Sequence, residues 1–385
     1  MKWSAIRRKL VRVERAVDKA IDNAEIAGAV VLARMPRDGE VIEHFSRHGL
    51  AVVRPERIPM ARDTIFDLAS LTKPMATTTA VMLLVHEGAL GLDDPVSKYL
   101  PSFSERDKDG VTLRHLLTHS AGLKPWRAFH ELLLEKERKT GEHWISTAAA
   151  RELVIDRVAR SGLVHESGAA AVYGDLDFIA LGAVVEAVAH QPLDAFCAER
   201  VFGPLGMDTT FFVRLGEGEP ELAPERKRRV AATENCPWRG RILWGEVHDP
   251  NASAMGGVAG HAGLFGTADD VMTFALALLD VWHGRSEVWP QDLLREFTRR
   301  QDLPKDSDWA LGWDTPTAGA SSSGRHFSPR SVGHLGFTGT SLWIDLEREA
   351  VVVLLTNRVH LVAKRSRFEL RPVVHDLLME AFREG

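Results

Sequence analysis

Ser70 and Lys73 stand three residues apart in Asp67-Leu68-Ala69-Ser70-Leu71-Thr72-Lys73-Pro74-Met75-Ala76, the one Ser-x-x-Lys string of the chain. An apolar run follows. Three residues is close to one helical turn, so the hydroxyl and the amine would share one face of a helix start. A serine hydroxyl is a weak nucleophile until a neighbour takes its proton, and the spacing predicts a nucleophile beside its base. Lysine serves as a base only when neutral. Burial and the positive helix N-terminus are expected to push its pKa down. The same N-terminus offers unpaired N–H groups to an oxyanion. Alone, a pattern fixed at two positions turns up about once by chance in a chain this long. The competing reading is an N-cap serine and a solvated lysine.

Acyl transfer through Ser70 needs a second acid–base group and a strand carrying an oxyanion donor. The chain has two tyrosines. Tyr99, in Ser97-Lys98-Tyr99-Leu100-Pro101, reads as structural. Tyr173, in Val172-Tyr173-Gly174-Asp175, precedes a helix, and its phenol could shuttle a proton if a nearby ammonium lowered its pKa. Gly333-His334-Leu335-Gly336-Phe337-Thr338-Gly339-Thr340 leads into strand-like Ser341–Asp345. Glycine at 336 would let backbone approach a ligand closely. Other patterns fall away. His115 and His119 are four apart, but no Glu follows His115 and no third ligand is evident, so no metal is expected. Gly256–Leu264 is glycine-rich but lacks G-x-G-x-x-G and a P-loop lysine, so no phosphate cofactor is expected.

These residues need elements to hold them. Ile6, Leu10, Val13, Val17, Ile21 and Ala24 recur every three or four residues, as on an amphipathic helix. Gly28–Met35 and Val41–Gly49 read as a hairpin across Pro36–Gly39. The Ser70 helix runs to Gly88, with Pro74 in its first turn where a missing N–H matters least. Thr112–Leu123 reads as a short helix ending at a glycine, followed by helices over Arg151–Arg160 and Phe178–Ala189. Arg214–Asn251 reads as irregular and partly draped over a pocket mouth. His248, His261 and Trp238, from this region and the glycine-rich one, could line the pocket but read as structural. Thr267 caps a helix over Val271–Trp282. Ala318–Gly324 is a loop of small residues. Strands at Ser341–Asp345 and Ala350–Thr356 precede a closing helix from about Phe368 to Phe382. The simplest assembly joins both ends of the chain in one antiparallel sheet covered by the terminal helices. Residues 1–66 and 305–385 would form this sheet domain and residues 67–304 a mainly helical one, with the site in the cleft between them.

At 45% hydrophobic and 26% charged, with a net charge of −5, the composition is that of a globular enzyme and gives no electrostatic case for nucleic acid. No apolar stretch reaches transmembrane length, so no membrane partner is expected. Charges from Lys2 through Asp18 leave no signal-peptide core, which predicts a cytoplasmic protein. Two cysteines, Cys197 and Cys236, read as thiols rather than a disulfide.

Ser70-x-x-Lys73, Tyr173-x-Asp175 and His334-x-Gly336 occur in the order of three elements of a known superfamily. The chain resembles the serine hydrolases that comprise class C β-lactamases, penicillin-binding DD-peptidases and family VIII carboxylesterases. Leu92–Val96, Leu116–Leu123, Gly203–Met207 and Gly263–Ala268 are similar to its connectors. The resemblance covers roughly residues 10 to 380. It implies the β-lactamase/transpeptidase-like α+β fold, an acylated Ser70, and acid–base work shared by Lys73 and Tyr173. It also implies an oxyanion hole from the backbone N–H groups of Ser70 and Phe337. His334, Leu335 and Gly336 would line the substrate strand, with Asp175 where the superfamily carries asparagine. Two departures bear on the substrate. His334 replaces a lysine that would hold a carboxylate, and Asp175 lacks an amide donor. Both favour a neutral ester or amide over a β-lactam. The leading expectation is thus a carboxylesterase needing no cofactor. A β-lactamase or D-amino-acid peptidase, a non-catalytic β-lactam sensor and an acyltransferase are the alternatives.

Overall fold

The computed structural model describes residues 2–105, 108–219, 221–319, 321–360 and 369–383. Strands are β1 (Gly28–Arg37), β2 (Glu40–Val52), β3 (Ile58–Pro59), β4 (Phe66–Asp67), β5 (Phe211–Phe212), β6 (Asn235–Cys236), β7 (Arg241–Ile242), β8 (Leu264–Gly266), β9 (Ser331–Leu335), β10 (Ser341–Asp345) and β11 (Ala350–Thr356). Helices are α1 (Lys2–Asp22), α2 (Thr79–His86), α3 (Leu113–Leu117), α4 (Phe129–Thr140), α5 (Ala148–Ala159), α6 (Asp175–Ala189), α7 (Leu193–Cys197), α8 (Pro224–Arg228), α9 (Pro250–Ala254), α10 (Ala268–Trp282), α11 (Gln291–Thr298) and α12 (Leu370–Arg383).

The main sheet is antiparallel in the order β3-β2-β1-β11-β10-β9, so the first hairpin and the last three strands meet where β1 pairs with β11. Both faces are buried, which is why β11 reads as an unbroken apolar run instead of alternating. Ala29, Val31 and Ala33 of β1, with Val352 and Leu354 of β11, face α1 and α12. Val30, Leu32, Val351, Val353 and Leu355 join the core that continues into the helical part of the chain. There α10 packs on β1 and β11. A second sheet, β4-β8-β5, ties the strand just before Ser70 to the glycine-rich segment.

Three local expectations change. The Ser70 helix begins as a 3-10 turn, Ala69–Leu71, widens into a π-helical turn, Lys73–Thr78, and becomes α-helical only at Thr79. Thr79 Oγ1 donates to the Pro74 carbonyl at 3.0 Å, so a side chain takes up a carbonyl of the widened turn. The helix expected over Thr112–Leu123 stops at Leu117, where the chain turns left-handed at His119 (φ +55). The stretch 214–251 holds the β6–β7 hairpin and α8. Phe368, the expected start of the closing helix, and Ala320 lie outside the described residues.

Candidate active site

Ser70 is aimed by its neighbours. Ala69 adopts φ +49, a conformation that costs a non-glycine residue and persists only where surroundings impose it. Here Asp67 imposes it. Its Oδ1 accepts the Ala69 N–H at 2.8 Å, and its Oδ2 accepts the His248 N–H at 2.7 Å. The β9–β10 turn clamps the same loop from the other side. Thr338 Oγ1 donates to the Asp67 carbonyl at 2.8 Å, and Thr340 Oγ1 to the Leu68 carbonyl at 3.1 Å. A Cβ on Gly336 would lie 2.6 Å from that Leu68 carbonyl, so only glycine lets the turn come this close.

Lys73 is fully buried and bridges three groups. Its Nζ donates to Ser70 Oγ at 3.1 Å, to Asp175 Oδ1 at 2.7 Å and to the His261 carbonyl at 3.2 Å. Burial alone would lower its pKa. The charges of Asp175 and Tyr173 outweigh burial and hold it above the ordinary lysine range. The expectation that Lys73 tends toward neutrality is therefore corrected: a carboxylate sits where an amide was the pattern, and it keeps the ammonium charged. Lys73 reaches the His261 carbonyl because two glycines bring backbone together. A Cβ on Gly260 would lie 2.1 Å from the Phe178 carbonyl and 2.9 Å from Gly182 Cα. That close approach requires glycine at position 260.

The Tyr173 hydroxyl interacts with both Lys73 and Ser70, and Lys73 Nζ lies 4.9 Å from the ring centroid. Although 41% of the residue is exposed to the cavity, the surrounding protein pushes the phenol pKa up, with Lys73 pulling against it. A net lowering, as expected from the ammonium alone, does not occur. Trp309 stacks on the phenol at 5.7 Å and 15°.

His334, on β9, is 3% exposed. Its Nδ1 lies 2.9 Å from the Leu335 carbonyl, which can only accept, so the proton is on Nδ1 and Nε2 keeps a lone pair. Nε2 has no protein partner. Burial, with Lys73 nearby, pushes the pKa down to about 3. The imidazole is a neutral acceptor.

Ser70, Tyr173, Asp175, His334, Leu335, Gly336 and Phe337 line one cavity of about 780 Å³, and Lys73 lies behind its floor. The N–H groups of Ser70 and Phe337 have no acceptor among the described residues. His248 and His261 also line the cavity. Trp238 does not, and packs on His130 instead. Sequence reasoning missed Trp126, Trp309, Glu234, Asp249, Arg358 and Arg371, which no local pattern marks. Asp175, Asp249 and His261 bring potential ligand atoms within 4.8 Å of one another. Asp175 is engaged by Lys73, and Asp249 by His261 at 2.9 Å and the Ala252 N–H at 2.7 Å. A metal ion there would face the Lys73 ammonium.

The Beta-lactamase family profile matches residues 13–374. A "Putative D-alanyl-D-alanine carboxypeptidase" of Salmonella agona (strain SL483) is 31% identical over 318 residues, 77% of this chain and 70% of that protein. Among solved structures, "EstCE1, a hydrolase with promiscuous acyltransferase activity" superposes with a TM-score of 0.71 at 25% identity, covering 98% of this chain and 99% of that one. A class C beta lactamase does so with 0.70 at 16% identity, covering 99% of each, a likeness of fold alone.

Proposed function

The chain belongs to the β-lactamase family of serine hydrolases, and from that premise we propose that it is a carboxylesterase acting on small esters through a Ser70 acyl-enzyme, with weak or no β-lactamase activity. The observation that carries this reading is the neutral, acceptor-only His334 where a permanent cation would hold a substrate carboxylate.

In the proposed reaction Ser70 Oγ attacks the ester carbonyl carbon. Its proton passes to Lys73 Nζ while Lys73 gives one to Asp175 Oδ1, along contacts of 3.1 and 2.7 Å. The Ser70 and Phe337 N–H groups hold the oxyanion. The Tyr173 hydroxyl protonates the departing alkoxide as the C–O bond breaks, leaving an acyl-enzyme and a phenolate beside the Lys73 ammonium. Water then attacks the acyl carbon and gives a proton to that phenolate. Ser70 Oγ leaves and regains its proton from Asp175 through Lys73.

A second reading is a peptidase acting on chains that end in a free carboxylate. Arg358 lines the same cavity and favours it, as does the putative D-alanyl-D-alanine carboxypeptidase among the relatives. The test runs p-nitrophenyl butyrate, nitrocefin and an N-acylated D-alanyl-D-alanine peptide in parallel, with Ser70→Ala as control. Ester turnover that is lost in the variant, with slow or no nitrocefin hydrolysis, supports the esterase. Faster release of D-alanine than of p-nitrophenol supports the peptidase. Ester turnover unchanged by Ser70→Ala refutes the assignment of the nucleophile.

A further inference from the structure

His119 is buried behind Tyr173 and holds the tyrosine segment at three points. The Val172 N–H donates to the His119 carbonyl at 2.8 Å, and the Gly174 N–H donates to His119 Nδ1 at 3.3 Å. Backbone N–H groups one residue before and one residue after Tyr173 are thus bound to one residue. The imidazole also packs against the Tyr173 ring, with centroids 4.8 Å apart, and edge-on against Trp309 at 4.6 Å. His119 adopts φ +55, a conformation that a non-glycine residue holds only when its surroundings require it. The histidine is in turn fixed by Asp177, on the first turn of α6, whose Oδ2 lies 3.0 Å from the same Nδ1.

The Gly174 N–H and burial together favour one protonation of this pair. Nδ1 accepts from the Gly174 N–H, so its lone pair is directed at a donor. Asp177 Oδ2, beside the same lone pair, then bonds well only as a carboxylic acid donating its own proton. Burial favours that form, raising the Asp177 pKa and lowering that of His119.

We propose that His119 is a positioning residue that acts through Tyr173, and that Asp177, as a neutral acid, holds the histidine in the orientation this requires. The inference rests on the reading of Tyr173 as the acid of the reaction. Without the histidine, Tyr173 would keep its place in the chain but lose its fixed distance to Ser70 and Lys73. A misplacement of about 1 Å costs about 10²-fold in rate.

The test is a double-mutant cycle with ethyl butyrate, whose alkoxide leaving group needs the proton that Tyr173 supplies. His119→Leu is expected to lower kcat by about 10²-fold with little change in KM, and to have almost no further effect in a Tyr173→Phe background. An equal loss in both backgrounds would show that His119 acts elsewhere and would overturn the proposal. His119→Asn, which keeps an acceptor for Gly174, and Asp177→Asn, which keeps a neutral donor, are each expected to stay within about tenfold of the native rate. Asp177→Asn losing as much as Asp177→Leu would refute the neutral-acid assignment. A readout independent of turnover is the ultraviolet titration of Tyr173 in a Tyr99→Phe background, which leaves it the sole phenol of the chain. His119→Leu should move that titration to higher pH as the phenol loses its place beside Lys73, and His119→Asn should not. An unmoved titration overturns the proposal. If the native protein proves inactive on esters, the esterase reading fails and this titration still decides the positioning role.

Discussion

Lys73 and Asp175 lie 2.7 Å apart, with the amine fully buried and the carboxylate on the cavity wall. The carboxylate holds the amine charged against its burial. In Asp175→Asn the strongest influence keeping Lys73 charged is gone, and burial would lower the amine pKa. The carboxylate that receives the Ser70 proton is gone as well. At pH 7 the variant is expected to lose about 10²-fold in kcat/KM, the scale of one acid–base group. Its remaining activity should climb with pH toward 9 as the unpaired amine sheds its proton and becomes a base itself. The native enzyme should show no such rise. Measuring kcat/KM for p-nitrophenyl butyrate from pH 6 to 10 in both proteins checks this. Parallel profiles would remove Asp175 from the proton path.

Gly336→Ala tests the clamp on the nucleophile loop. The added Cβ would lie 2.0 Å from Thr340 Oγ1 and 2.6 Å from the Leu68 carbonyl, so the β9–β10 turn must retreat from the residues that aim Ser70. Overpacking of this kind costs about 1–3 kcal/mol. Urea denaturation should show that loss, and the acylation burst should slow by more than the stability change accounts for. Native burst kinetics in a destabilised protein would mean the clamp serves the fold alone.

The parts of this molecule that could be read from sequence are those whose evidence is local. Ser341–Asp345 and Ala350–Thr356 coincide with β10 and β11 because central strands buried on both faces are continuous apolar runs. Ser70 and Lys73 share a motif, and the structure places the hydroxyl within reach of the amine. The charge of Lys73 could not be read, because Asp175 is 102 residues away and reverses what burial alone would do. His119 and Asp177 were invisible as a pair for the same reason, and the spacing of His115 and His119 pointed only to a metal site to be set aside. The π-helical turn after Lys73 was missed because apolar periodicity marks a buried face and not the pitch of the backbone.

His375 gives a stability prediction with a defined sign. It is fully buried, donates from Nδ1 to the Ser322 carbonyl at 3.0 Å and accepts at Nε2 from Ser341 Oγ at 3.1 Å. Burial pushes its pKa down to about 4. Above pH 6.5 both folded and unfolded chains hold it neutral and its contribution is complete. As pH falls from about 6.5 toward 4 the unfolded chain takes up a proton that the folded chain refuses, and stability is lost at up to about 1.4 kcal/mol per pH unit. His375→Gln should flatten the fall of unfolding free energy across that window by this amount. Urea titrations at pH 7.5, 5.5 and 4.5 measure it, and an unchanged slope would mean that His375 titrates normally in the folded protein.

His334→Lys asks whether one position sets the substrate. In the native site the imidazole spends its single proton on the Leu335 carbonyl and stays neutral down to about pH 3, so it offers a carboxylate neither charge nor donor. Lysine would bring an ammonium to the same wall. Lys73 and Arg371, which already lower the histidine pKa, would also lower that of the new amine. Starting from about 10.4, it can fall by two units and remain charged at pH 7. A charge-assisted contact of about 1.4 kcal/mol raises nitrocefin kcat/KM by about tenfold. The neutral ester p-nitrophenyl butyrate gains no such contact and should not be accelerated. The ratio of the two substrates therefore isolates carboxylate recognition from any general effect on folding or on Ser70. A ratio unchanged from native would move the substrate-selecting role away from His334 and toward Arg358, and with it the balance from esterase to carboxylate-directed peptidase.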